Sequence, residues 1–252
     1  HQFRSIDGLP KASSVFGPYL ARNPKDYLAQ VQAAIAYRLD GDFENSRVLL
    51  EAVLDAELLP VGFMSQFQLR LRSISARELV LVGLSQWEIA EEGERAMHIE
   101  RMEAARDRLV SMAVEPAADP AVLEADARIA YVKGEFGIAS ANFDRLVTQF
   151  GQTDLMTLLG AALSLEQLDQ IGRALAHIDR GLALDPRNPE LLERRARYLM
   201  RMRRYEEAEE TARMLTQVAP GRQSGQLILD DVQSRLAIED GTAAADDMQA
   251  VF

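Results

Sequence analysis

Subtracting positions along the chain exposes a recurrence of 34 residues: Ala208 follows Ala174, Pro220 follows Pro186, Ala196 follows Ala162 and Leu199 follows Leu165 by that interval. Such a period constrains the fold strongly, because one short unit cannot bury its apolar stripe alone and must build the core with its neighbours. Lys133-Gly134-Glu135-Phe136-Gly137-Ile138-Ala139 carries the same aromatic-x-x-Ala spacing as Arg203-Arg204-Tyr205-Glu206-Glu207-Ala208, and Ala139 stands 35 residues before Ala174, which places one inserted residue near Gly151-Gln152. A fourth, weaker copy, Asp40-Gly41-Asp42-Phe43-Glu44-Asn45-Ser46, puts Ser46 at the small-residue place, with Ala34 and Tyr37 upstream.

The repeated unit reads as helix, turn, helix. Ala, Leu, Arg and Glu dominate and aromatics are only 6%, which favours helices over strands. Apolar residues recur at spacings of three and four between the nine prolines, so the prolines read as helix punctuation. Asn188-Pro189, Asp119-Pro120 and Asn23-Pro24 read as cap-plus-proline helix starts, and Ser75-Ala76-Arg77-Glu78 as a capping box opening another. In the middle, Phe63, Phe67, Leu71 and Ile74 share a helical face, although Phe67, Leu69 and Leu71 also alternate as a strand would. That stretch is read as helical, ahead of two long amphipathic segments near 76–91 and 94–113.

These features resemble the tetratricopeptide-repeat family. The resemblance rests on the small residues Ala127, Ala162 and Ala196 on first helices and Ala139, Ala174 and Ala208 on second helices, with Phe136 or Tyr205 opening a second helix and Pro186 or Pro220 closing it. It implies an all-α, right-handed superhelical solenoid of antiparallel helix pairs. The expected organisation is an extended lead-in over 1–22, with Phe16 and Tyr19 packed on the first repeat, then a repeat over 23–57. Degenerate repeats with longer helices follow over 58–118, three regular repeats over 119–220, a capping helix over 221–240 and a flexible acidic tail over 241–252. Asp126 and Arg195 stand where the family usually has leucine, and Gly181 where it has alanine, so altered packing is expected there.

The inventory for catalysis is thin. The three histidines, His1, His98 and His177, lack a second histidine or paired carboxylate at ligand spacing, and His177 reads as an inter-repeat residue. No phosphate loop is present, Gly83-Leu84-Ser85-Gln86-Trp87 lacks the closing glycine of a nucleophile elbow, and Asp40-Gly41-Asp42 is the repeat turn rather than a calcium loop. No catalytic residue, metal or cofactor is expected, and the chain is read as not an enzyme. A net charge of -11 opposes binding to nucleic acid or an anionic lipid surface. The longest apolar runs fall far short of the ~20 residues that cross a bilayer. Without cysteine the sequence gives no redox address. It opens HQFRS rather than with methionine, so a removed start segment is expected.

Binding is the remaining function. In the family the exposed face of the first helices lines a concave groove, and the same register here selects Glu124, Arg128 and Tyr131, then Leu159, Leu163 and Glu166, then Arg194, Arg197 and Arg201. The expected groove runs from mixed and aromatic, over an apolar floor, to a basic end. The lysine and asparagine clamp of chaperone-tail receptors is absent. The resemblance implies a non-catalytic scaffold or adaptor for a protein or peptide partner, with self-association as a further option. It leans towards a bacterial periplasmic or envelope assembly such as a pilus, secretion or polysaccharide-export machine, with the cytoplasm as the other address. The rival reading is an accessory region of a larger enzyme whose catalytic part lies elsewhere.

Overall fold

The computed structural model describes the backbone of residues 12–56 and 66–250, with side chains over 14–56 and 66–238. Within these residues the chain is all helical, and no helix is long and apolar enough to cross a membrane. It divides into two compact units, residues 1–135 and 136–252.

The first unit holds α1 (Ala12–Arg22), α2 (Tyr27–Leu39), α3 (Phe43–Asp55), α4 (Gln66–Ile89), α5 (Glu92–Met112), a single 3-10 turn (Pro116–Ala118) and α6 (Pro120–Val132). Three of its helices begin on an acidic cap: Asp26, Asp42 and Asp119 accept backbone N–H groups of Ala29, Asn45 and Ala121, which would otherwise be unpaired. Its main core joins Leu54, Ala76, Val80, Met102, Leu109, Val122 and Ile129 from α3, α4, α5 and α6. Two smaller clusters tie α2 to α3 and α4 through Val31, Val53 and Leu71, and through Ala34, Leu50 and Val82.

The second unit holds α7 (Phe136–Gln149), α8 (Leu155–Gln167), α9 (Ile171–Leu184), α10 (Pro189–Arg201), α11 (Tyr205–Val218) and α12 (Gln223–Ala250). Asp154 and Asn188 cap α8 and α10, each accepting two backbone N–H groups. One continuous core runs from Ala162 and Leu165 through Ile178, Leu192, Leu199, Ala208 and Leu215 to Ile228 and Val232 on α12.

The period has a local cause. Gly41, Gly134, Asp169 and Arg203 all take positive φ, 81°, 79°, 58° and 58°, and each lies two residues before a second helix. Behind each, two N–H groups turn back onto the preceding helix, as in Asp169 to Glu166 and Gln170 to Leu165, or Arg203 to Met200 and Arg204 to Leu199. This reversal satisfies the last carbonyls of the first helix, and within each unit, behind Gly41, Asp169 and Arg203, it launches the next in a fixed direction. The small residues named from the sequence lie where the contact is tightest: Ala127, Ala139, Ala162, Ala174, Ala196 and Ala208 have no exposed surface. Ser46 is equally buried, and its hydroxyl donates to Ala34 O at 2.8 Å.

Several expectations are corrected. Residues 12–22 form α1 rather than an extended lead-in, with Pro18 inside it, since one missing N–H kinks a helix more readily than it ends one. Tyr19 is exposed, and its hydroxyl donates to Asp26 instead of packing. Asn23-Pro24 lies in the connection before α2, whose cap is Asp26. Ser75 starts nothing: α4 is continuous from Gln66, and the Ser75 hydroxyl donates to Leu71 O one turn back. α12 continues helically to Ala250, through the stretch read as a tail. Phe63, Val251 and Phe252 lie outside the described residues.

The departures from the family pattern have structural reasons. A Cβ on Gly181 would lie 2.8 Å from Leu191 Cδ1, so the missing side chain lets α10 approach α9. Asp126 accepts from Arg106 at 2.7 Å, and Arg195 donates to Asp179 at 2.8 Å and also to Thr211, so polar latches stand where leucines were expected.

Candidate partner-binding site

In the second unit the selected face lies on α8 and α10, and side chains bridge α8 to α10 and α10 to α12. Glu166 on α8 accepts from the Tyr198 hydroxyl at 2.8 Å and from Arg194 at 3.5 Å, with Arg201 3.7 Å away. Arg201 also donates to Asp169 at 2.6 Å, and Arg194 lies 3.5 Å from Glu190. Burial, and then the hydrogen bond to Glu166, push the Tyr198 phenol well above its ordinary value, so it stays a donor. Leu159 and Leu163 precede Glu166 by seven and three residues on α8, on the same helical face, and both are half-buried.

Arg197 points elsewhere. It donates to Glu193 at 2.9 Å, and Glu193 also accepts from Ser224 at 2.8 Å and faces Arg222 at 3.2 Å, both beyond the end of α11. Burial works to raise the Glu193 pKa, but Ser224, Arg197 and Arg222 together hold it below the ordinary carboxylate value. The three arginines therefore divide, Arg194 and Arg201 lying towards Glu166 on α8 and Arg197 on Glu193 of its own helix. Each faces a carboxylate, so the expected basic end is neutralised. Arg197 and Arg201 keep about half their side-chain surface open, at 56% and 43%, whereas Arg194 keeps 28%.

In the first unit the selected residues are placed differently. Glu124 and Arg128 are buried, at 2% and 4% exposure, and so line no open surface. Glu124 accepts from both Arg77 Nε and Nη2, at 2.6 and 3.0 Å, and from Arg128 at 2.7 Å. Burial would raise its pKa, yet the charges of Arg128 and Arg77 hold it below the ordinary value. Tyr131 is half-buried against the main core of the unit. Arg38 on α2 donates to the buried Glu78 on α4 at 3.1 Å, so α2, α4 and α6 are linked by arginine–glutamate pairs as α8, α10 and α12 are. Arg38, Glu193 and Arg222 were not singled out from the sequence, where Arg77 and Glu78 read only as part of a capping box. Their partners lie about 30 to 47 residues away, and the only available signal was the recurrence of unlike charges at near-repeat spacing.

His177 is buried with Nε2 3.1 Å from Asp144 Oδ1, and Arg173 donates to the other oxygen of the same carboxylate, which makes it an inter-helix strut between α9 and α7. Among the described residues no group of three His, Asp or Glu could hold a metal ion.

No protein-family model and no curated protein matches the chain. Solved structures do. Pseudomonas aeruginosa pilF superposes with a TM-score of 0.55 at 13% identity, over 90% of this chain and 97% of that one. Also similar are YrrB, described as a TPR protein with an unusual peptide-binding site (TM-score 0.48, 10% identity, 84% of this chain and 95% of that one), and the Arabidopsis OM64 TPR domain (TM-score 0.42, 15% identity, 48% and 99%).

Proposed function

We propose that this chain, whose fold is that of the tetratricopeptide-repeat proteins, is a non-catalytic scaffold that holds a segment of a partner protein on the first-helix face of its second unit. The observation that carries this reading is the fixed constellation around Glu166. Tyr198 and Arg194 meet the Glu166 carboxylate, and Arg201, held by Asp169, lies 3.7 Å from it, beside a half-buried strip of Leu159 and Leu163. Side chains already held in one geometry lose little freedom when a guest arrives, and a strip of half-covered leucines gains by being covered. Arg197 and Arg201, the more open of the three arginines, supply steering and orientation, and Leu159 and Leu163 the anchoring area. Glu124 and Arg128 are structural on this reading. The finer setting, a bacterial envelope assembly, is supported by the repeat resemblance and the Arg- and Ala-rich usage alone.

The test replaces Arg197 and Arg201 by alanine and spares Arg194, whose loss would disturb the Glu166 contacts. Proteins retained by the immobilised wild-type chain from envelope and cytoplasmic fractions of its source organism are identified, and affinities for them are measured with both forms. The expected result is weaker binding at an unchanged melting temperature. Equal affinity of the two forms for every retained protein refutes the face assignment.

A further inference from the structure

A cleft of about 110 Å³ opens in the first unit between α3, α4 and α5. Its apolar wall is Leu79, Val82, Gly83, Ala104 and Ala105. Its polar rim is Arg47, Glu51, Gln86, Arg101 and Arg108. It shares no residue with the face proposed above.

The rim charges are not equally engaged. Arg47 is held by Glu44 and by Glu51, the latter at 2.7 Å, and Arg108 donates to Asp55 at 2.8 Å. Arg101 is exposed and makes no hydrogen bond or ion pair among the described residues. Gln86 adds a second unmet group: its Oε1 is buried and has no partner among them. A buried amide oxygen left unpaired is costly, and it calls for an N–H or O–H donor, which a water between it and a guest's carboxylate would supply.

We propose that this cleft is a binding site for a carboxylate carried on a short aliphatic stem, with the carboxylate on Arg101 and the stem against Leu79, Val82 and Ala104. The chemistry of the walls selects this class. A planar guanidinium with no hydrogen bond or ion pair among the described residues, and only the longer-range charge of Glu44 acting with it, matches a carboxylate in two parallel hydrogen bonds. One cation without an ion pair among the described residues, with Glu44 and Glu51 close by and a net charge of -11 on the chain, suits a monoanionic head and disfavours a phosphate dianion. The apolar wall asks for hydrocarbon behind the head rather than a bare inorganic ion. Two sources carry this group: a free short-chain acid, or a glutamate side chain presented by a partner protein.

The experiment titrates the intact chain, at constant ionic strength, with butyrate, with glutarate, with the neutral glutaramide and with the peptide acetyl-Ala-Ala-Glu-Ala-Ala-amide, reading amide NMR shifts. Saturable binding with a Kd on the order of millimolar is expected, as fits so few ligand atoms. The shifts should centre on Gln86 and on residues 79–86 and 101–108, with none from glutaramide. Arg101→Gln removes the free charge and Ala104→Leu fills the cleft. Both positions are exposed, and each variant should bind at least tenfold more weakly at an unchanged melting temperature. Binding by the free acids alone assigns the site to a small molecule, and binding by the peptide at least as tightly assigns it to a protein glutamate. Absence of saturation with all three carboxylates, or equal affinity in Arg101→Gln, overturns the proposal.

Discussion

Gly160 on α8 faces the ring of Phe143 on α7, and replacing it with alanine sets two effects of opposite sign against each other. Alanine in a helix interior is favoured over glycine by about 1 kcal/mol through backbone entropy. The new Cβ, however, would stand 2.4 Å from Phe143 Cζ and 2.8 and 2.9 Å from Cε1 and Cε2. Carbon atoms rest at ~3.5 to 4.0 Å, so the ring must retreat by about 1 Å. Phe143 is 1% exposed, and a rigid ring in a close-packed interior has little room to withdraw. Overpacking of this kind costs about 1 to 3 kcal/mol, which outweighs the helical gain and leaves Gly160→Ala about 1 kcal/mol less stable than wild type. Urea denaturation monitored by circular dichroism measures the difference. Gly172→Ala on α9 is the control: its Cβ meets nothing nearer than Met202 Cε at 3.9 Å, and it should be neutral or slightly stabilising. Adding Phe143→Leu to Gly160→Ala should recover more than independent effects allow. A Gly160→Ala chain as stable as wild type would show that α7 and α8 do not approach closely at this point, and the reasoning would fail.

Ala174 has no exposed surface, so Ala174→Leu should lower the urea midpoint severely or abolish cooperative unfolding; a wild-type curve contradicts the repeat register. Arg203 occupies the left-handed turn at φ 58°, where glycine belongs, so Arg203→Gly should raise stability by about 0.5 to 1 kcal/mol, read as a higher melting temperature. Glu124→Gln removes a carboxylate that serves Arg77 and the buried Arg128, and should cost about 3 kcal/mol in the same denaturation assay. Burial holds His98 and His177 below their ordinary value of 6.5, so unfolding takes up protons. Their contribution is complete above that value and declines as pH falls through it, and the pH dependence between about 7.5 and 5.5 should flatten in His98→Gln/His177→Gln.

Helix identity and the repeat turns were legible because their signals are local. The turn needs one left-handed residue and a following aromatic or branched side chain, and the small residues recur at a fixed interval, so subtraction finds them. The charged face was less legible. A helical projection puts Arg194, Arg197 and Arg201 on one side of α10, but it says nothing of the neighbouring residues, and Glu166, Asp169, Glu190 and Glu193 decide which way each guanidinium turns. Glu124 and Arg128 failed for the same reason: their register is that of an exposed place, while their burial and pairing depend on Arg77, 47 residues from Glu124. Ser75 misled because a capping box and an interior back-bonded serine share one sequence pattern.

The linking pairs bear on how a chain of similar units finds one arrangement. Apolar stripes built on the same alanines are nearly interchangeable, so burial alone discriminates weakly between a unit's proper neighbour and another copy. A bidentate arginine–glutamate contact such as Arg77 with Glu124 adds little net stability over an apolar contact of similar volume, because the buried carboxylate loses its water and the half-open guanidinium part of it. Its geometry, though, is satisfied in one docking only, and a misplaced neighbour strands a desolvated charge at a cost of several kcal/mol. In the first unit Arg38 with Glu78, Arg77 with Glu124 and Arg106 with Asp126 each join different helices, and in the second Glu166, Glu193 and Arg195 do the same. Asp126 and Arg195 stand where a leucine would serve packing equally well, which fits a role in selecting the neighbour. The arginines visible on the helix faces are then partly the ends of these latches, and on the face proposed above Arg197 and Arg201 keep more surface open than Arg194.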